Sequence, residues 1–162
     1  MYPVIQRFYP NALVFQGKIL SDPQSGNLRE FDLILISSQP DEIILAEFKG
    51  YTGKSYINLG TSDIKDTLRY FMRGSLKVAN NYYKDSRDFK NHAIKAVYMT
   101  TGKFHADTNE FIKKVEDGGH KASYIDMFFD GQKLESFLVQ KGFKHEAKII
   151  RKYFPQPSSD AD

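Results

Sequence analysis

Asp32 stands inside the apolar run Phe31-Asp32-Leu33-Ile34-Leu35-Ile36. Fourteen residues separate it from Glu47-Phe48-Lys49, which ends a second apolar run, residues 42 to 49. A charge in an apolar strand is costly unless it is paired or holds a metal. Between the runs lies Ser37-Ser38-Gln39-Pro40-Asp41, a turn-like stretch. A hairpin centred between Gln39 and Pro40 places Asp32 opposite Glu47, and opposed residues share a face with Cβ atoms about 5 Å apart. Glu30 and Lys49 join that face by the two-residue period of a strand. A slip of one residue would break the arrangement.

Two carboxylates at that separation repel each other and suit a hard divalent cation such as Mg²⁺ or Mn²⁺. The cation lowers the pKa of a water and offsets charge on a phosphodiester. Lys49 can orient or deprotonate that water, or stabilise negative charge on phosphate. Asp32, Glu47 and Lys49 are therefore the candidate catalytic residues. Asp32, Glu47, the backbone carbonyl of Phe48 and, more weakly, Glu30 are the candidate metal ligands. The competing reading makes Asp32 and Lys49 a structural ion pair, with Glu47 facing solvent.

Asp32 with Glu47-Phe48-Lys49 resembles the PD-(D/E)xK motif of the restriction-endonuclease-like nucleases. The literal Pro40-Asp41 is not the matching acid, since Asp41 lies roughly 20 Å from Glu47 along a strand. Residues 93 to 104, with the Thr100-Thr101 pair, resemble a strand of Mrr-like restriction endonucleases. The helix that follows and Phe129-Asp130-Gly131-Gln132-Lys133-Leu134 are similar to that family's closing segments. Residues 47 to 53 also resemble nuclease-related (NERD) domains. The likeness spans roughly residues 12 to 140, and its specific part is the acid-acid-lysine core. It implies a restriction-endonuclease-like α/β fold, metal-dependent hydrolysis of DNA, and a place in restriction or antiviral defence. Many members carry a further acid on a helix before the first strand, yet residues 1 to 21 contain no Asp or Glu. Either Glu30 substitutes, or that helix is missing, or the site binds one metal. The missing acid keeps an inactive nucleic-acid-binding or protein-interaction module open as the alternative.

At 162 residues the chain reads as one domain, 12 to 154, between an N-terminal arm or truncated element, 1 to 11, and a disordered tail, 155 to 162. No apolar run is long enough for a membrane span, and no signal peptide is evident. The absence of cysteine excludes disulfides and thiolate metal sites and fits a cytoplasmic location. The histidines are scattered singly, against a histidine zinc site. No phosphate-binding G-x-x-x-x-G-K-[ST] loop and no G-x-S-x-G nucleophile elbow occurs.

Strands are expected near 12–20, 30–37, 42–50, 93–101 and 121–129, with helices from the Thr61-Ser62-Asp63 cap to Lys84 and near 105–116, 131–141 and 144–153. The order βββαβαβαα predicts a mixed central sheet, a three-strand meander then a helix and further strands, flanked by helices. Lys65, Arg69, Arg73 and Lys77 recur every four residues and form a basic stripe suited to phosphates. Tyr51, Lys54 and Tyr56 mix aromatic and basic character as a strand-binding loop does. Thr101 ends a strand near the site edge, where a hydroxyl can bind phosphate or cap the next helix. The formal charge of +3 permits a polyanionic partner without demanding one. DNA is the expected partner, and the residues do not separate it from RNA. Cutting two strands needs two sites, so a homodimer or a larger complex supplying specificity is a further expectation.

Overall fold

The computed structural model describes residues 7, 9–49, 58–59, 66, 71–117 and 127–152. Three consecutive strands open the fold: β1 (Leu13–Ser21), β2 (Leu28–Ser38) and β3 (Asp41–Lys49). A short strand β4 (Asn58–Leu59) follows, then a π-helical turn (Phe71–Leu76) that runs into helix α1 (Lys77–Lys84). Next come β5 (Ala93–Thr100), β6 (Lys103–Phe104), α2 (Ala106–Glu116), β7 (Met127–Phe129), α3 (Gly131–Gln140) and α4 (Lys144–Arg151). Five strands form one sheet in the order β1-β2-β3-β5-β7. The first three are antiparallel, and β5 and β7 add in parallel. This is a mixed α/β fold, compatible with a restriction-endonuclease-like core.

The expected elements differ from the observed ones in two places, and others lie partly or wholly outside the described residues. The helix leading to Lys84 is π-helical over 71–76, so its 3.6-residue period does not hold there. The pair β4 and β6 forms a separate two-stranded sheet that the sequence reading did not contain. The described part of the last strand is only three residues long. Residues 1–6 and 153–162 lie outside the described residues, as does most of the expected Thr61 cap region.

The sheet is packed on both faces at β5 and β7, and Leu35 of β2 and Ala46 of β3 are buried as well. On one face Ile34, Ile36, Ile43, Leu45, Ala96, Tyr98 and Phe128 pack with Leu76, Val78, Ala79 and Tyr83 of the helical segment and Ile112 of α2. On the other, Val97, Met99 and Phe129 pack with Leu134 and Leu138 of α3 and Ala147 of α4. Within α3, Asp130 caps the helix by accepting from Lys133 N at 2.8 Å.

The β1–β2 ribbon changes faces along its length. Phe15 and Leu20 are five residues apart, and Phe31 and Ile34 three apart, yet all four join the same core. On a flat strand those separations point to opposite faces. The reversal falls at Gly17, whose φ of 55° lies in the left-handed region open to glycine. The pairs Gln16 with Leu33 and Lys18 with Phe31 flank it, so Asp32 stands across from Gly17. Beyond that point the ribbon closes over α1. Asp22 is buried there, accepting from Gln24 N, Ser25 Oγ and, on α1, Asn81 Nδ2. Gly74 lets the Arg29 side chain pass: a Cβ at that glycine would meet Arg29 Nε at 2.8 Å.

Leu45 is fully buried where β3 meets the helical face. Leu45→Ala is expected to lower unfolding free energy by about 2–5 kcal/mol in a denaturant titration, with little change in slope.

Candidate active site at the end of the central strands

The β2–β3 ladder runs from Ser38 with Asp41 to Leu33 with Ala46. That register centres the hairpin between Gln39 and Pro40, as expected, and its next pair is Asp32 with Glu47. The Phe48 N–H donates to Asp32 Oδ2 at 2.7 Å. Along a strand the N–H and C=O of one residue point to the same side. The Phe48 carbonyl therefore faces the β2 side, where the Asp32 carboxylate lies. Asp41, at the far end of β3, lies 3.7 Å from His92 Nε2 and belongs to another part of the molecule.

Exposure rises along one face of β3 toward its C-terminal end. Leu45 is fully buried, the Glu47 side chain is 16% exposed and that of Lys49 is 48% exposed. Glu47 pairs in register with Tyr98, itself only 2% exposed, so an aromatic neighbour takes water from the carboxylate. Burial pushes the Glu47 carboxyl above its ordinary value of 4.5; the hydrogen bond from Lys49 pulls it back in part, and the charge of Asp32 raises it further. Lys49 Nζ lies 3.1 Å from Glu47 Oε1. The competing ion pair of Asp32 with Lys49 beside a solvent-facing Glu47 is thus not the arrangement found. Lys49 pairs with Glu47, and Glu47 is the more buried acid.

One site contact escaped the sequence reading. Thr100 is fully buried, and its Oγ1 donates to the Lys49 carbonyl at 2.8 Å while accepting from Gly102 N at 3.0 Å. Thr101 N also donates to Lys49 O, at 3.3 Å. The Thr-Thr pair anchors the backbone of the candidate lysine. Thr101, read as a phosphate contact, is 4% exposed. The signal was present in the register, since Lys49 pairs with Thr100.

Other expected residues are not brought together. Among the described residues no three acids or histidines converge on one point, so Glu30 does not complete a three-acid set with Asp32 and Glu47. Glu30 turns toward β1, where its Oε1 lies 3.4 Å from the position of a Cβ on Gly17. Tyr51, Lys54, Tyr56, Lys65 and Arg69 lie outside the described residues, as does the side chain of Arg73. Lys77 is exposed at the start of α1.

No known sequence family and no curated protein matches this chain. Two solved structures are similar in shape. One, described as a protein of unknown function, AF1548, aligns with a TM-score of 0.50 at 15% identity, over 86% of this chain and 64% of that one. That likeness speaks for the fold alone. The other is MspJI restriction endonuclease in complex with a 27-mer oligonucleotide, with a TM-score of 0.34 at 14% identity, over 98% of this chain and 30% of that one. At that score the likeness bears on neither site nor mechanism. This chain spans less than two thirds of either structure. Among the described residues no helix is long and apolar enough to cross a membrane.

Two outcomes follow from this geometry. An acid whose folded pKa is raised binds more protons folded than unfolded, so its ionisation costs stability as pH rises through 4.5 and beyond. Glu47→Gln should therefore gain stability over wild type progressively as pH is raised from about 4 to 7, followed by urea unfolding across that range. Thr100→Val should lose about 1–3 kcal/mol, because Gly102 N–H is left without its acceptor, and calorimetric unfolding would read it.

Proposed function

We propose that this chain is a metal-dependent nuclease that hydrolyses phosphodiester bonds, with Asp32, Glu47 and Lys49 as its catalytic residues. One observation carries the reading. Asp32 and Glu47 are opposed on neighbouring strands, and each keeps one oxygen without a hydrogen bond among the described residues. Asp32 Oδ2 is taken by Phe48 N–H and Glu47 Oε1 by Lys49 Nζ, which leaves Asp32 Oδ1 and Glu47 Oε2. Two anionic oxygens and a carbonyl on the same side are the donor set that Mg²⁺ or Mn²⁺ prefers. Burial is the main cause of the raised Glu47 carboxyl, and the smaller share that comes from Asp32 would be relieved by a cation between the acids. Glu30 stands outside this set as an outer acid.

Bound there, the metal supplies a more acidic water and offsets charge at the phosphate. Asp32 and Glu47 would hold it, with the Phe48 carbonyl as a further candidate ligand. The Phe48 N–H fixes the orientation of the Asp32 carboxylate. Glu47 holds Lys49 Nζ at the mouth of the site, where the ammonium orients the attacking water or meets negative charge on the phosphate. Thr100 fixes the backbone from which that side chain extends. DNA is the substrate class this reading favours. Cleavage of both strands takes two such sites, which a homodimer or a larger complex provides. A role in restriction or antiviral defence rests on the motif resemblance alone.

A second reading has its own observation. Because no third acid converges with Asp32 and Glu47 among the described residues, the same fold can serve as a nucleic-acid-binding module without cleavage.

The test is cleavage of supercoiled plasmid and of single-stranded DNA with Mg²⁺ or Mn²⁺, beside calorimetric titration of Mn²⁺. Wild type is expected to nick DNA, and Asp32→Ala and Lys49→Ala to lose about 10²-fold or more. Asp32→Ala should lose Mn²⁺ binding, and Lys49→Ala should retain it. Undiminished cleavage by Asp32→Ala, or a wild type that binds no Mn²⁺, would sink the proposal. DNA binding without Mn²⁺ binding would leave the second reading.

A further inference from the structure

A cleft of about 480 Å³ opens between α2 and α3, and none of Asp32, Glu47 or Lys49 lines it. Its floor is apolar and fixed. Phe104, Ile112 and Phe128 line it and are all buried. Tyr98 braces both phenylalanines, stacked on Phe104 at 6.4 Å and tilted on Phe128 at 6.1 Å.

The walls are polar and mostly uncommitted. From α2 come Asn109 and Lys113, and from α3 come Gln132, Lys133 and Ser136. Among the described residues, the side chains of Lys113, Gln132 and Ser136 have no partner. Asn109 gives one N–H to the Phe104 carbonyl at 3.4 Å, which leaves its amide oxygen for a ligand. Lys133 Nζ sits 5.3 Å from the centre of the Phe129 ring. Among the described residues Asp130 is the single acid in the lining, and its Oδ1 accepts the bond that caps α3.

We infer that this cleft binds one nucleotide unit, a nucleobase with its phosphate. The volume is that of a small-molecule site. The apolar floor gives the cleft a fixed base, and the amides of Asn109 and Gln132 supply donors and acceptors for the polar edge of a nucleobase held between the walls. Lys113 and Lys133, on opposite walls, suit the phosphate.

The cleft is joined to the candidate active site by hydrogen bonds. Thr100 Oγ1 holds the Lys49 carbonyl and accepts from Gly102 N. The Gly102 carbonyl then accepts from Gly131 N at 3.0 Å, which fixes the start of α3, one wall of the cleft. The nucleotide comes from one of two sources, a strand lying across the sheet end or the free pool. The first source rests on the nuclease reading; the second does not.

The test follows the side-chain amide signals of Asn109 and Gln132 by NMR. The ligands are a deoxynucleoside monophosphate and a single strand of about six nucleotides, each added up to about 10 mM. Both amides are expected to shift in wild type and in Asp32→Ala, which separates binding from turnover. The paired substitution Lys113→Glu with Lys133→Glu, and separately Ser136→Trp, which fills the cleft, should weaken binding by about tenfold or more. All three positions are exposed, so the fold should tolerate the changes. Tighter binding of the oligonucleotide assigns the cleft to a strand, and equal binding assigns it to free nucleotide. Still amides with both ligands overturn the inference, as do shifts that neither variant weakens. Shifts in a chain that never cleaves DNA would refute the nuclease reading and keep this one.

Discussion

The pairing of β2 with β3 is the constraint on which the rest depends. With Ser38 opposite Asp41, every later pair is fixed, and Asp32 and Glu47 fall on one face. A shift by one residue would turn Ile34 and Ile36 out of the core and part the two acids. The energy that holds the register comes from the core, since Ile34, Ile43 and Leu45 are all fully buried. The acids are passengers on that choice. Their juxtaposition is enforced by apolar burial, and the charge of Asp32 adds to the burial that raises the Glu47 carboxyl.

Two departures from regular strand geometry make the site usable. Gly17 reverses the face of the β1–β2 ribbon beside Asp32, so the acid emerges exposed between the buried Phe31 and Ile34. At the other strand, Lys49 extends where β3 leaves the core, and Thr100 from β5 holds its carbonyl. Sites of open α/β sheets lie outside the carboxyl ends of parallel strands, because side chains there leave the packed layers while the backbone remains fixed. Glu47 and Lys49 follow that rule across the parallel pair of β3 and β5.

Fold and function stand on different ground in this molecule. The fold has a measured likeness in shape over most of the chain. The chemistry rests on four residues and their contacts, because one fold hosts many activities and each must be argued from its site.

The sequence by itself determined the strand pair and its hairpin, because apolar periodicity and turn residues are local signals. It also determined which face Asp32, Glu47 and Lys49 share, since a strand alternates with a period of two. Only the tertiary structure decided which acid is the more buried, because Tyr98 arrives beside Glu47 from a strand about fifty residues away. It also decided that Lys49 pairs with Glu47, that Glu30 stands apart, and that Thr100 and Thr101 face inward to hold a backbone carbonyl. The π turn over 71–76 and the pairing of β4 with β6 were likewise hidden from the local pattern. Apart from the π turn, each of these depends on contacts between segments distant in the chain, which no window along the sequence carries.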